Sequence, residues 1–480
     1  MIVISCGLPG SGKSFLAKKL AKRFKAKLLS SDILRKKMIK NPAYRRKEKL
    51  KVYDKLIEEA VKEAERKDVV IDATFYLASL RKKAMKAAEK AKVPLFIVEK
   101  TASEKDVKAR MKKRPNMKNE KSDADFAVYR KIKKIFEEIK ETHFSIEYAD
   151  GESFEKLVND FHLAEIKHWL SRKEAYKEKA GKVEIKETHI SVVFLNGTNV
   201  YKLKKPINPG FLDYSTLAKR KALCREEIRI NSLLSKELYL GVAEIKKHNG
   251  RITVGGKGKT IEYAVKMKQL PEKEIMTKLL AKGKVNEKII RNIAKQMTEF
   301  HKKVGGKDAL NYGKPKDIWN AFSNAFLVKN KIGRDATVIE KKARAFLRKN
   351  GKLFMKRVRK KKIKDCHGDL HSGNIFIHNK RAYIFDAIEF NKAISSCDVA
   401  AEIAFMAMDL EFNNKKKLAD VFVEEYCRLT NDYEIYKLIG FYKCYRASIR
   451  MMANAMQGSQ TGLKTAKKYA KKAVEYTKIF

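Results

Sequence analysis

The sequence predicts an α/β domain with a parallel sheet followed by an α+β domain, on three observations. The first 150 residues hold five short β-rich runs separated by helical stretches, the pattern of strand–helix–strand units. Residues 183–268 instead hold β-rich runs joined by tight turns such as Asn196-Gly197, a strong hairpin signal. From about residue 285 the chain is helical apart from a short polar loop and hairpin at 366–386. The domain boundary is drawn near 160, giving 1–160 and 161–480, with lobes of about 182–270 and 271–480 in the second.

Composition supports two folded domains. At 480 residues the chain is too long for one core, and 44% hydrophobic with 35% charged residues describes a soluble globular protein. No run approaches the ~18 apolar residues of a membrane helix, and Met1–Cys6 is too short for a signal peptide, so a cytoplasmic, membrane-free protein is expected. Six cysteines without a C-x-x-C pair fit reduced thiols. The net charge of +52 invites non-specific polyanion binding through counterion release. Two origins stay open: a nucleic-acid function, or a Lys-rich surface bias, since the lysines are spread along nearly every helical segment among glutamates. The densest cluster, Lys356-Arg357-Val358-Arg359-Lys360-Lys361-Lys362, is the best candidate for an anion-binding patch.

Residues 2–14 pass from a β-branched run through a Gly-rich loop into a helix, which is the context a P-loop requires. Gly7 and Gly12 bracket the G-x-x-x-x-G-K-S pattern and Gly10 adds room, so the backbone through Ser11 can wrap the triphosphate of ATP. Lys13 then reaches the β and γ phosphates and Ser14 ligates Mg²⁺. Further strands are expected at 27–30, 69–72, 94–98 and 144–148. Ligands of parallel sheets sit beyond the C-terminal strand ends, where Asp32, Arg35, Asp72 and Thr74 fall. Gly-x-Pro-Gly-Ser-Gly-Lys-Ser, Ser31-Asp32-x-x-Arg35 and Asp72-Ala73-Thr74 together resemble P-loop kinases of the polynucleotide 5′-kinase and gluconate-kinase type. That resemblance implies an α/β P-loop NTPase fold, with Asp32 as base or orienter and Arg35 and Asp72 on the substrate side. It also implies a lid from Arg110 through Arg114 to Arg130, bringing Arg114 to the nucleotide. Helix capping by Asp32 and solvated helix charge for the arginines are the competing readings.

Residues 150–182 read as a helical connector with Phe154, Leu157, Val158, Phe161, Ile166 and Leu170 on its apolar stripe. The hairpins that follow match the start of a kinase N-lobe, whose third strand carries a Lys paired with a Glu on the next helix. Lys202 and Lys204 lie on one face of that strand; Lys202 is favoured, and Glu227 fits the helix stripe better than Glu226. Residues 261–267, ending at Met267, are the expected hinge strand for adenine.

In Cys366-His367-Gly368-Asp369-Leu370-His371-Ser372-Gly373-Asn374, Asp369 and Asn374 have the spacing of the protein-kinase catalytic loop. Asp386, closing the run Ala382-Tyr383-Ile384-Phe385, is then the second acidic ligand for Mg²⁺ beside Asn374. His367 and His371 are four apart, but Gly368 and Gly373 argue for a loop and not for a metal-binding helix face. The wording His-Gly-Asp-Leu-His-x-x-Asn resembles the aminoglycoside phosphotransferase family of kinase-like folds from about residue 182 to the C-terminus. Val200-Tyr201-Lys202-Leu203-Lys204-Lys205-Pro206 and Leu238-Tyr239-Leu240-Gly241-Val242 are similar to a branch fused to a P-loop ATPase domain, in which the phosphotransferase half comes first; here it comes second. The resemblance implies that Asp398 braces the catalytic loop, with simple helix capping as the competing reading, and that Asp369 orients the acceptor hydroxyl. The whole chain is therefore expected to be a bifunctional ATP-dependent phosphotransferase acting on a small hydroxylated substrate or a nucleic acid 5′ end. The alternative is an RNA-end-processing or nucleic-acid-binding protein that uses the second domain as a scaffold.

Overall fold

The computed structural model describes residues 1–39, 46–113 and 125–480. It divides into two compact units, Met1–Ile185 together with Glu244–Glu262, and Lys186–Ala243 together with Tyr263–Phe480.

The first unit alternates β1 (Ile2–Cys6), α1 (Lys13–Phe24), β2 (Lys27–Ser30), α2 (Ser31–Met38), α3 (Arg46–Ala64), β3 (Val69–Asp72), α4 (Ala78–Lys90) and β4 (Leu95–Lys100). It continues through α5 (Glu104–Lys113), α6 (Phe126–Ile135), β5 (His143–Ile146) and α7 (Gly151–Leu170). The sheet order is β2-β3-β1-β4-β5, with every pair parallel. β1 is central and entirely buried, as its unbroken apolar run Ile-Val-Ile requires of a strand covered on both faces. Alternation along it divides the core: Ile2 and Ile4 pack with Leu56 and Leu80 under α3 and α4, while Val3 packs with Leu16, Leu20 and Phe161 under α1 and α7. Within the same unit Lys247 donates to Asp68 at 2.9 Å and to Glu165 at 2.7 Å, which ties in the segment Glu244–Glu262.

The remaining strands β6 (Glu184–Glu187), β7 (Ser191–Leu195), β8 (Asn199–Lys204), β9 (Tyr239–His248), β10 (Arg251–Val254) and β11 (Lys259–Lys268) form a sheet of order β10-β9-β11-β8-β7-β6. α8 (Leu217–Ser235) lies between β8 and β9, and the Thr216 hydroxyl caps it by accepting from the Lys219 amide. The helical lobe buries a large core, Ile293, Met297, Phe322, Phe405 and Phe441 among it. Two short two-stranded antiparallel sheets accompany it: β12 (Ile363–Asp365) with β15 (Ser396–Asp398), and the hairpin of β13 (Ile375–His378) with β14 (Arg381–Ile384). Asn379 and Lys380, at φ 49° and 63°, make the two-residue turn between β13 and β14, where both central residues must be left-handed to match strand twist. No helix among the described residues is long and apolar enough to cross a membrane.

Candidate active sites

The Gly-rich loop leaves the C-terminal end of central β1, where the order reverses between β3 and β4. Gly7 has φ +138°, and a Cβ there would stand 2.5 Å from the Lys100 carbonyl oxygen, so neither backbone nor space admits a side chain. Gly12, at φ +96°, caps α1 and turns its N-terminus toward the loop. The Ser5 hydroxyl donates to the Lys13 carbonyl at 3.0 Å, and Arg110 donates to the Ser11 carbonyl at 2.9 Å. Asp72 ends β3 next to β1. Burial pushes its carboxyl up and Asp32 adds to this, while Lys13 and a hydrogen bond from Ser14 oppose. The fold therefore gathers Lys13, Ser14, Asp32 and Asp72 at one mouth. Asp72 Oδ1 and Ser11 Oγ are buried there with no hydrogen-bond partner among the described residues. An orphaned carboxylate oxygen beside Ser14 fits a hydrated Mg²⁺, and the glycine cradle fits phosphate oxygens.

Asp32 lies in the first turn of α2, behind the cap residue Ser30, and accepts from Arg35 at 3.0 Å. It is thus not the cap. Arg35 is itself buried, and Arg130 stacks over Phe126, 5.0 Å from the ring centre. Arg114 lies outside the described residues.

In the second unit β8 aims two lysines at one carboxylate. Lys202 Nζ reaches Glu227 Oε1 at 2.9 Å and pairs also with Asp386, while Lys204 Nζ reaches Glu227 Oε2 at 2.7 Å and pairs with Glu389. Exposure separates the two. Lys202 and Asp386 are 15% and 44% exposed, against 1% and 3% for Lys204 and Glu389, so Lys202 faces the open side. Burial alone would lower both ammonium pKa values, yet Asp386 and Glu227 hold Lys202 well above the ordinary range, as Glu227 and Glu389 do Lys204. Burial would conversely raise Glu227, but the two lysines hold it low. Asp386 sits at φ +67°; its amide donates to the Tyr239 hydroxyl at 3.0 Å, and the Ala387 amide donates to Asn231 of α8 at 2.9 Å. Met267 packs with Val265, Leu270, Phe376 and Phe385 in an apolar wall.

The catalytic-loop stretch is a loop and a short turn, as its glycines demand, and its groups converge. Asn374 Nδ2 donates to the Asp369 carbonyl at 3.0 Å and to Asp369 Oδ2 at 3.1 Å, leaving its amide oxygen as the donor atom for a cation. His371 Nε2 stands 3.3 Å from Asp369 Oδ2. Burial pushes the Asp369 carboxyl up, but His371 and then Arg450 outweigh it and hold the group well below the carboxylate range.

What braces this loop was not legible in the sequence. The carboxylate of Glu402, fully buried on the helix Val399–Phe412, accepts from the His367 amide at 3.1 Å, the Gly368 amide at 2.8 Å and His301 at 2.8 Å. Asp409, two turns further on, accepts from the Ser372 amide at 2.9 Å, and Arg446 donates to the Gly368 carbonyl at 3.1 Å. Of the two roles open to Asp398, bracing the loop gives way to capping: it caps the helix through the Ala400 amide and grips Arg357 with both oxygens, at 2.6 and 2.9 Å. A second correction follows from that grip. Arg357 is fully buried between Asp398 and Asp432, Lys356 and Lys360 pair with Glu434, and Lys362 with Asp432. Four of the cluster's six cations are thus paired within the fold, and three carboxylates offset half of its formal charge.

These geometries define two kinase-type folds in one chain: a P-loop unit with a parallel sheet, and a kinase-like unit with a Lys–Glu pair, a loop that ties Asn374 to Asp369, and an acidic hairpin end. Residues 2–139 match the AAA domain family. The chain is 28% identical over 267 residues to an uncharacterized protein of Mycobacterium bovis and equally to two from Mycobacterium tuberculosis, covering 54% of this chain and 52% of theirs. It thus spans about half the length of the curated relatives it matches. Among solved structures it is similar to a gluconokinase from Sinorhizobium meliloti, at 18% identity, 34% of this chain, 95% of that one and TM-score 0.26. A choline kinase from Cryptosporidium parvum aligns at 12% identity over 67% of this chain and 95% of that one, with TM-score 0.41.

Proposed function

We propose that the chain is a bifunctional ATP-dependent phosphotransferase whose two sites each pass the ATP γ-phosphoryl group to a hydroxyl acceptor. The observation that carries this is in the second unit: one ammonium, Lys202, joins Glu227 to Asp386, while Asn374 is tied to Asp369. Lys202 holds the nucleotide phosphates and Glu227 holds Lys202. Asn374 and Asp386 hold Mg²⁺, which offsets the charge of the phosphates when bound. Asp369 orients the acceptor hydroxyl; its oxygen forms the new P–O bond as ADP leaves, and Asp369 accepts the proton. In the first unit Lys13, Ser14 and the Gly7–Gly12 backbone take the phosphates, Asp32 orients the second acceptor, and Arg35 and Asp72 line the substrate side. The nucleic-acid alternative rests on the net charge of +52 and the polynucleotide-kinase resemblance, and the burial of Arg357 between two carboxylates removes one cation of the basic cluster from it.

The test uses the full chain with the P-loop disabled by Lys13→Ala. Asp369→Asn is expected to keep Mg²⁺-dependent ATP binding while transfer falls on the order of 10²- to 10⁴-fold, the share of a general base. Asp386→Asn is expected to weaken Mg·ATP binding itself, because a hard cation loses a carboxylate. Identical behaviour of the two variants, with no Mg²⁺ dependence in their parent, would leave this unit a scaffold.

A further inference from the structure

A cleft of about 290 Å³ opens in the second unit where three elements meet: the last turns of α8, the helix Glu287–Lys303 and the turn of the β13–β14 hairpin. Leu233 and Leu234 of α8, both half-buried, supply its apolar wall. Gln296 joins the helix to the hairpin by donating to the Ala382 carbonyl at 3.2 Å. None of Lys202, Glu227, Asp369, Asn374 and Asp386 lines the cleft. The leucines follow Glu227 by six and seven residues, roughly 10 Å along the helix axis. Arg381 precedes Asp386 by five residues, roughly 17 Å of extended chain. The cleft thus lies at the far ends of the two elements that carry Glu227 and Asp386, away from the groups assigned to phosphates and acceptor.

Its polar lining is cationic. Lys295, Lys380 and Arg381 share it with one acid, Glu299, and that acid pairs with Lys302 at 2.8 Å. Arg381 is offset by Glu237, whose two oxygens accept at 3.1 Å. Lys295 and Lys380 have no hydrogen bond or ion pair among the described residues. Unpaired surface lysines are common in a chain of net charge +52; what sets these two apart is that they come from different elements and converge on one leucine-walled cleft. Such a lining is complementary to an anion with an apolar body, whose head offsets the lysines while its body covers the leucines. Size narrows the class. Ligand pockets run from ~300 to ~1,000 Å³, so this one holds one or two fused rings or a short acyl chain. A peptide helix, roughly 10 Å across with its side chains, would find no seat in it.

We propose that this cleft is a further small-molecule site of the second unit, separate from the nucleotide and acceptor positions, and that it takes an aryl or short acyl carboxylate or phosphate monoester. Lys295 and Lys380 hold the anionic head, and Leu233 and Leu234 hold the apolar body. The site does not depend on phosphoryl transfer by either unit.

The test is fluorescence titration of the full chain with 1-naphthyl phosphate, 1-naphthoate and the neutral 1-naphthamide, at fixed ionic strength. Saturating Mg²⁺ and a non-hydrolysable ATP analogue are present to occupy the nucleotide positions. At least one naphthyl anion is expected to bind at one site per chain, about 10-fold more tightly than the amide, which is what two solvent-facing ion pairs supply together. Inorganic phosphate at the same concentration should not displace it, since the apolar body is required. Lys295→Ala combined with Lys380→Ala is expected to bring anion and amide within about 2-fold of each other. Asn292→Phe, which adds a ring to the cleft wall, is expected to weaken anion and amide alike by about 10-fold or more. All three replaced side chains are exposed, so the fold should be kept, and thermal unfolding checks that it is. Absence of anion binding, an amide that binds as well as the anions, displacement by inorganic phosphate, or an affinity unchanged in either variant overturns the proposal. Loss in the lysine variant alone is included, because it would trace the binding to surface charge outside the cleft.

Discussion

Lys202 and Lys204 share Glu227, yet their removal is expected to fail in opposite ways. Lys204→Met leaves Glu389, 3% exposed, with the Tyr214 hydroxyl at 2.9 Å as its one hydrogen-bond partner among the described residues. Breaking a buried pair from one side costs about 3–5 kcal/mol. Proton uptake caps that figure: neutralising a carboxyl of ordinary pKa 4.5 at pH 7 costs about 1.36 × 2.5, or about 3.4 kcal/mol. A loss near 3 kcal/mol is expected at pH 7. Because a carboxyl whose folded pKa is raised is tolerated below its unfolded value and penalised above it, the loss should shrink below about 1 kcal/mol at pH 5. Lys202→Met leaves Glu227 its second lysine, and Asp386 is open to water, so about 1 kcal/mol is expected. Transfer, however, should fall on the order of 10²- to 10³-fold. The assay is urea unfolding at both pH values in a Trp169→Phe chain, where Trp319 alone reports the second unit. Equal stability losses for the two variants, or a Lys204→Met penalty that is the same at pH 5 and pH 7, would refute the assignment.

Lys13→Ala, in an Asp386→Asn chain, is expected to lower the remaining ATP turnover at least on the order of 10²-fold, measured by steady-state hydrolysis; unchanged turnover would remove the P-loop from the chemistry. Arg357→Met should cost about 3–5 kcal/mol in urea unfolding and leave the salt slope of polyanion binding unaltered, since the guanidinium is buried between two carboxylates. Asp68 offers a pH test in the first unit. Burial opposes its charge, but the Met1 amine and Lys247 hold its pKa below the ordinary 3.8. Its contribution is complete above about pH 4 and is lost as pH falls through the lowered value, so Asp68→Asn should flatten the acid limb of stability in a Trp319→Phe chain, where Trp169 alone reports the first unit.

Much of this was written locally. The P-loop, each of the five parallel strands and the Asp369–Asn374–Asp386 spacing are encoded in short consecutive stretches, the last of them from 369 to 386, where turn chemistry and periodicity act. Lys202 and Lys204 could not be separated from sequence, because strand alternation puts both on one face and only burial distinguishes them. The roles of Glu402, Asp409 and Arg446 were not legible because their partners lie far along the chain. A signal was present all the same: Glu402 stands in an apolar helical run in which every residue from 399 to 410 is buried, and a charge in such a run must find partners. The basic cluster at 356–362 misled for the converse reason. Its neutralising acids, Asp398, Asp432 and Glu434, come some 36 to 78 residues later, beyond any local count of charge. The grouping of 244–262 with the first unit has the same origin, resting on Lys247 and acids far earlier in the chain.

The left-handed backbone at Asp386, φ +67°, decides which replacements can be informative. Asp and Asn adopt that conformation with little penalty, whereas Ala pays about 1–2 kcal/mol and would move the amides held by Tyr239 and Asn231. An alanine at this position would therefore shift the helix that carries Glu227 and mimic damage to the lysine pair, while asparagine removes the charge alone. The same asymmetry acts over evolutionary time. Copies of this gene freed from catalysis should drift from Asp to Asn or Gly here, because the turn polices this position even after the chemistry no longer does. A survey of descendants that found Ala, Val or Leu as often as Asn would show that the turn itself had been lost.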